Sequence, residues 1–216
     1  MADGRSVGIS RREEYAEATR RAIVAAARRL FSERGYFATK VDDIASLARV
    51  APATVYAVSG GKQGLLRTLT DVLTTDPIVQ ATIGGAEELD DPAAIMRLLA
   101  ATVRKVREQF DDIMRVLLTT APHDKAVGEN LALATTRFRT AFVPIVRKLL
   151  SLGALREGLN EAEAVDVLWF YFGYSGMFTL RDDNGWSYER CESWLCEAAS
   201  RSLLREGTAP SWSGRD

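Results

Sequence analysis

One histidine, His123, and two cysteines, Cys191 and Cys196, stand among 216 residues, and that scarcity removes whole classes of chemistry. The cysteine spacing fits neither a C-x-x-C redox motif nor a zinc-ligand pair, and one histidine cannot complete a metal cluster. Neither a metal nor a cofactor is expected, and both thiols read as reduced and structural. No serine, base and acid fall at a spacing that would support nucleophilic catalysis, so no catalytic residue is assigned and the chain reads as a non-enzyme. Long apolar runs are also missing: the longest, residues 167–178, falls well short of the ~20 residues that span a bilayer. The opening MADGRSVGISRREEYAEATR is polar and carries acids, without the apolar stretch of a secretion signal. A cytoplasmic protein with no membrane partner is therefore expected. Alternation of apolar and polar residues at strand spacing is absent too.

What is present is helical periodicity, and the fold class expected is all-α. The first strong helix spans about residues 16–34, with Ile23, Ala26, Ala27, Leu30 and Phe31 on one face. Gly35 is placed to stop it. Thr39 reads as the N-cap of a two-turn helix carrying Val41, Ile44, Ala45 and Ala48, and Pro52 suits the first position of a third short helix. Further helices are expected near residues 62–83, 92–109, 111–120, 125–152, 161–180 and 187–204. Pro144 falls inside one of them, where it removes a backbone hydrogen bond.

The near-neutral net charge hides an asymmetry. Through Lys62 the chain has 11 basic against 7 acidic residues, and beyond it 17 against 22. Its first quarter is the part suited to approach a polyanion. A Gly-Gly-Lys at residues 60–62 invites comparison with a nucleotide phosphate loop. That motif needs a glycine where Tyr56 stands and a hydroxyl where Gln63 stands, so nucleotide binding is not expected.

Two short helices joined by about three residues have the proportions of a helix-turn-helix. In such a unit the second helix enters the major groove, and its outward residues near the N-terminus reach base edges. Pro52, Ala53, Thr54 and Ala57 leave room for close approach, with Thr54 offering a hydroxyl or a methyl and Tyr56 a phenol.

The run LFSERGYFATKVDDIASLARVAPATVYAVSGGKQGLL, residues 30–66, resembles the DNA-binding domain of TetR-family transcriptional regulators. Leu30, Phe31, Gly35, Tyr36, Ala38, Thr39, Val41, Ile44, Ala45, Ala48, Val50, Thr54, Val55, Tyr56, Lys62 and Leu65 stand at family positions. The resemblance implies an N-terminal three-helix DNA-binding domain with a helix-turn-helix, followed by a larger helical bundle for effector binding and dimerisation. In numbers, that is an arm at 1–15, disordered or partly helical, then the DNA-binding domain at 16–75 with its helix-turn-helix at about 40–59. The effector and dimerisation domain would take 76–206 and a flexible tail 207–216. It further implies that Thr39, Lys40, Tyr56 and Lys62 contact phosphates, while Pro52, Ala53, Thr54 and Ala57 lie along the groove. Ala51, Ser59 and Gly61 depart from the family pattern, which has hydroxyl residues at the first and last and a core Phe at the second. Phe37 is the candidate replacement for that Phe.

The function implied is a repressor that binds a palindromic operator in double-stranded DNA as a homodimer and is released by a small apolar effector. The alternative is a helical ligand-binding or adaptor protein that has lost DNA binding. Candidate effector contacts are Met96, Met114, Phe138, Phe142, Trp169 and Phe172. Candidate interface residues are Gly173 and Gly176, which would admit a close helix, with Trp186 and Trp194 as anchors.

Overall fold

The computed structural model describes residues 10–206, so the expected tail at 207–216 and the first nine residues of the expected arm lie outside the described residues. The fold is all-α, and among the described residues the only strand-like pairing is the bridge between Leu155 and Leu204. Helix α1, Arg11–Arg34, begins earlier than its apolar pattern does. Ser10 Oγ accepts from the Glu13 amide at 3.3 Å and the Glu13 carboxylate accepts from the Ser10 amide at 2.8 Å. This reciprocal cap satisfies two donors that the helix leaves open, and the S-x-x-E in the sequence is its signal.

Helix α2, Val41–Ala48, starts after Lys40, whose amide donates to Asp43 Oδ2 at 3.1 Å. Thr39 is therefore not the cap that the sequence suggested. Its side chain is buried and donates back to Gly35 O at 2.9 Å, with Leu30 O at 3.2 Å, which ties the connector to the end of α1. The turn into α3, Pro52–Ser59, places Arg49 in the left-handed region at φ 57°, a conformation that costs a non-glycine residue roughly 1–2 kcal/mol. Arg49→Gly should accordingly raise unfolding stability by about 0.5–1 kcal/mol, part of the relief being offset by the greater freedom of glycine in the unfolded chain. Thermal unfolding of the two forms checks it.

Gly60 and Gly61, at φ 73° and 96°, turn the chain from α3 into α4, Lys62–Thr74. The helix expected over residues 62–83 is two: Asp76 accepts from the Ile78 amide at 2.9 Å and Pro77 opens α5, Pro77–Glu87. Conversely, the two helices expected at 92–109 and 111–120 are one. Helix α6 runs Pro92–Thr120, since the junction holds no glycine or proline and Phe110 is buried there. After a single 3-10 turn, Ala121–His123, α7 runs Lys125–Ser151 through Pro144. Helix α8, Glu161–Phe172, ends at Gly173; α9, Tyr174–Phe178, passes into a π turn, Thr179–Asp183, and α10 spans Tyr188–Leu203.

The chain forms two compact units, and helices α4, α6 and α7 contribute to both. Among the described residues the first holds 10–71 with 115–131; the second holds 72–114 with 132–206. In the first, Ile23, Ala27, Leu30 and Phe31 of α1 are buried, as are Ile44, Val55, Leu65 and Leu66. In the second, Ile95, Met96 and Leu99 of α6 share one core with Ile145 and Leu149 of α7, Leu168 of α8 and Leu195 of α10. Each fully buried side chain of this size removes enough apolar surface from water to contribute roughly 1.5–3 kcal/mol. Both cysteines are buried and reduced, and burial pushes the Cys196 thiol up to about 11. No helix among the described residues is long and apolar enough to cross a membrane.

Candidate nucleic-acid interface and ligand cavity

Helix α3 is anchored by one residue and open along the rest. Val55 is 0% exposed, whereas Pro52, Ala53, Tyr56 and Ala57 are exposed and Thr54 is half-buried. Lys40 is exposed at the start of α2. The structure thus leaves six of the predicted contact residues accessible on the helix-turn-helix unit.

The other two are placed differently. Thr39 keeps its hydroxyl inside, so the side chain cannot serve as a phosphate contact. Lys62 turns towards the connector after α1: Nζ donates to Tyr36 O at 2.8 Å and lies 4.6 Å from the centroid of the Tyr36 ring. Burial pulls its ammonium below the ordinary lysine value, with the Asp124 carboxylate pulling the other way. Sequence reasoning reads this lysine as a clamp for DNA; the structure adds a tie that holds α4 to the connector.

Ser59, at the departure from the family pattern, bonds back to Val55 O at 2.8 Å and borders a cleft shared with Gln63, Leu66, Arg67, Val127 and Asn130. Phe37 does not replace the absent Phe. It is 58% exposed and its ring meets Tyr36 and His123 edge-on at 5.5 and 6.5 Å. The turn is instead closed by contact, since a Cβ on Gly64 would stand 1.6 Å from Ser59 O.

In the second unit an apolar cavity, with about 620 Å³ of atom-free space including its mouth, opens among α5, α6, α7 and α8. Met114, Phe138, Phe142, Trp169 and Phe172 line it together, five of the six side chains predicted for an effector site. Met96 is the exception: it is 0% exposed and packs in the core, because its position on α6 faces the other helices. Sequence reasoning missed Arg107, a lining residue only 2% exposed. It donates to Gly173 O at 2.5 Å and to Met114 Sδ at 2.9 Å. Its position among Val103, Val106 and Phe110 was the available signal: an arginine beside an apolar stripe.

Residues 23–69 match the family described as "Bacterial regulatory proteins, tetR family". The chain thus carries the N-terminal segment of that family. Over 97 residues it is 36% identical to the HTH-type transcriptional regulator TtgR of Pseudomonas putida, and equally to the probable HTH-type transcriptional regulator ArpR of the same species. That alignment takes in 44% of this chain and 45% of each relative, so less than half the length of these curated relatives is matched. Among solved structures, a SmeT–triclosan complex superposes with a TM-score of 0.75 at 17% identity, over 92% of this chain and 98% of that one. A putative regulator from Saccharomonospora viridis in complex with choline does so at 0.70 and 17%, over 88% and 100%. These two likenesses establish the shared fold.

The residues predicted for an interface lie in different settings within the second unit. Gly173 is buried and faces inward: a Cβ there would lie 2.3 Å from Trp169 O and 3.1 Å from the Trp169 ring. Its glycine identity serves the break between α8 and α9 and the cavity wall, which corrects its assignment to an interface. Gly176 and Trp194 border an exposed groove that also holds Phe170, 75% exposed. Trp186 supports Trp194 edge-on at 6.0 Å and is itself covered by the Arg190 guanidinium at 4.1 Å. Phe170 is the exposed aromatic that a sequence without contacts cannot distinguish from core.

Proposed function

We propose that the chain is a DNA-binding transcriptional repressor that acts as a homodimer on a palindromic operator and is released by a small, mainly apolar effector. The observation that carries it is the open face of α3, with Pro52, Ala53, Tyr56 and Ala57 exposed above a buried Val55. Small residues allow the helix to sit deep in a major groove, where Thr54 can meet a base edge by hydroxyl or methyl. Lys40 and the Tyr56 phenol supply phosphate contacts at its two sides. Lys62 uses one ammonium proton on Tyr36 O and keeps two for an approaching phosphate.

The groove around Phe170, Trp194 and Gly176 is the surface on which a second copy would pack, since exposed aromatics in a contiguous apolar patch mark association sites. The cavity supplies the effector site. An effector acts by preferring the state whose two α3 helices no longer match successive grooves, so that its differential affinity shifts the dimer away from DNA.

DNase footprinting of DNA upstream of the protein's own gene tests this reading. Expected is a protected stretch with two related half-sites about one helical turn apart, ~10 base pairs centre to centre, or a small multiple of it. Absence of protection on any DNA would leave the alternative of a helical ligand-binding protein.

A further inference from the structure

We propose that the cleft beside Ser59 is a second small-molecule site, lying wholly within the first unit, and that it takes a single-ring aromatic acid with a hydroxyl opposite its carboxylate. It shares no residue with the cavity of the second unit and does not rest on the reading of that cavity as the effector site.

The cleft has about 580 Å³ of atom-free space, its mouth included, and its lining comes from the end of α3, the first turns of α4 and the start of α7. The family pattern has a core Phe where Ser59 stands. The serine hydroxyl turns back onto Val55 O at 2.8 Å, so this position supplies no ring. Gly64 adds no side chain either, and none could be added there, since a Cβ would stand 1.6 Å from Ser59 O. Leu66 and Val127, 0% and 3% exposed, give apolar surface for a ring. A small residue in the place of a large one leaves space that its surroundings refill only in part, and such a space can take an aromatic ring from solution.

Two polar groups decide what that ring carries. Asn130 is 8% exposed; its Nδ2 donates to Thr70 Oγ1 at 2.8 Å, and the Thr70 hydroxyl donates in turn to Leu66 O at 2.8 Å. This chain fixes the amide with its nitrogen towards Thr70. Asn130 Oδ1 accepts no hydrogen bond among the described residues, so it is the acceptor left for a guest, and a largely buried acceptor calls for an O–H or N–H donor. Arg67 is exposed, forms no ion pair among the described residues, and shares the cleft with no acidic side chain. Its planar guanidinium suits a carboxylate. Arg67 and Thr70 are one turn apart on α4, about 4.5 Å along its axis, which brings the guanidinium and the Asn130 amide within the span of one substituted ring. A guest held at both ends would bridge α4 to α7 and pack against the end of α3.

The test is calorimetric titration of the full chain with 4-hydroxybenzoate, benzoate and 4-methylphenol. 4-Hydroxybenzoate should bind tightest, with benzoate about fivefold weaker for the lost hydrogen bond and 4-methylphenol about threefold weaker for the lost pairing with an exposed cation. Ser59→Phe supplies the ring from the chain itself and should weaken 4-hydroxybenzoate at least tenfold. Arg67→Ala should weaken both acids about threefold and leave 4-methylphenol unchanged. Arg67 is exposed, so its substitution decides the matter if Ser59→Phe does not fold. Equal affinity for the three probes, 4-hydroxybenzoate binding that neither substitution changes, or no saturable binding at all overturns the proposal and leaves the reading of the second unit's cavity untouched.

Discussion

Gly64→Ala should destabilise the first unit by at least ~3 kcal/mol and abolish DNA binding. A Cβ at this position would stand 1.6 Å from Ser59 O, which is backbone and has no rotamer by which to retreat. Either the turn at Gly60 and Gly61 opens or α4 withdraws from the end of α3. Overpacking in a core ordinarily costs about 1–3 kcal/mol, and here the clash is with main chain, so the upper end or beyond is expected. In a chain of this length that corresponds to a fall in unfolding midpoint of roughly 6–12 °C. Gly84→Ala is the control. Gly84 is exposed in α5 with nothing within 4 Å of a Cβ, so alanine there should stabilise by about 0.5–1 kcal/mol. Equal midpoints for Gly64→Ala and the unsubstituted protein, with DNA binding intact, would contradict the close α3–α4 turn.

Phe170→Glu should convert a dimer to a monomer without unfolding it. Phe170 is 75% exposed in the chain by itself, so the substitution removes little intramolecular packing. In a dimer built on the groove it would bury a carboxylate against aromatic surface, where an unpaired charge is strongly disfavoured. Light scattering should report half the mass with unchanged helicity. Operator affinity should fall at least a hundredfold, about the gain expected from holding two reading units together. A dimer that persists after this change would place the interface elsewhere.

Much of the first unit was legible because its signals are local. Apolar spacing placed Ile23 to Phe31 inside, Gly35 and Gly60–Gly61 mark the turns, and Pro52 opens α3. What the sequence hid depends on which side of a residue a neighbour occupies. Thr39 looks like a cap by type and position, yet the carbonyls of Leu30 and Gly35 draw its hydroxyl inward. Lys62 looks like a free cation, and only the fold brings Tyr36 O to it across 26 residues. In the second unit Met96 and Met114 were indistinguishable by composition and spacing, although one packs in the core and the other borders the cavity. Gly173 and Gly176 look alike in the same way; the first lies against Trp169 and the second near the surface groove.

The central claim is that α3 reads bases while residues at its margins hold phosphates. The most direct measurement is operator affinity as a function of salt and sequence for the unsubstituted protein, Lys40→Ala and Thr54→Ala. Lys40→Ala should weaken binding to every sequence and reduce the slope of log K against log salt by about 1.8, one phosphate contact being lost per protomer at roughly 0.9 each. Thr54→Ala should leave that slope alone and change which bases are preferred at one position in each half-site. Equal losses from both substitutions, with sequence preference unchanged, would contradict the assignment of α3 as the reading helix.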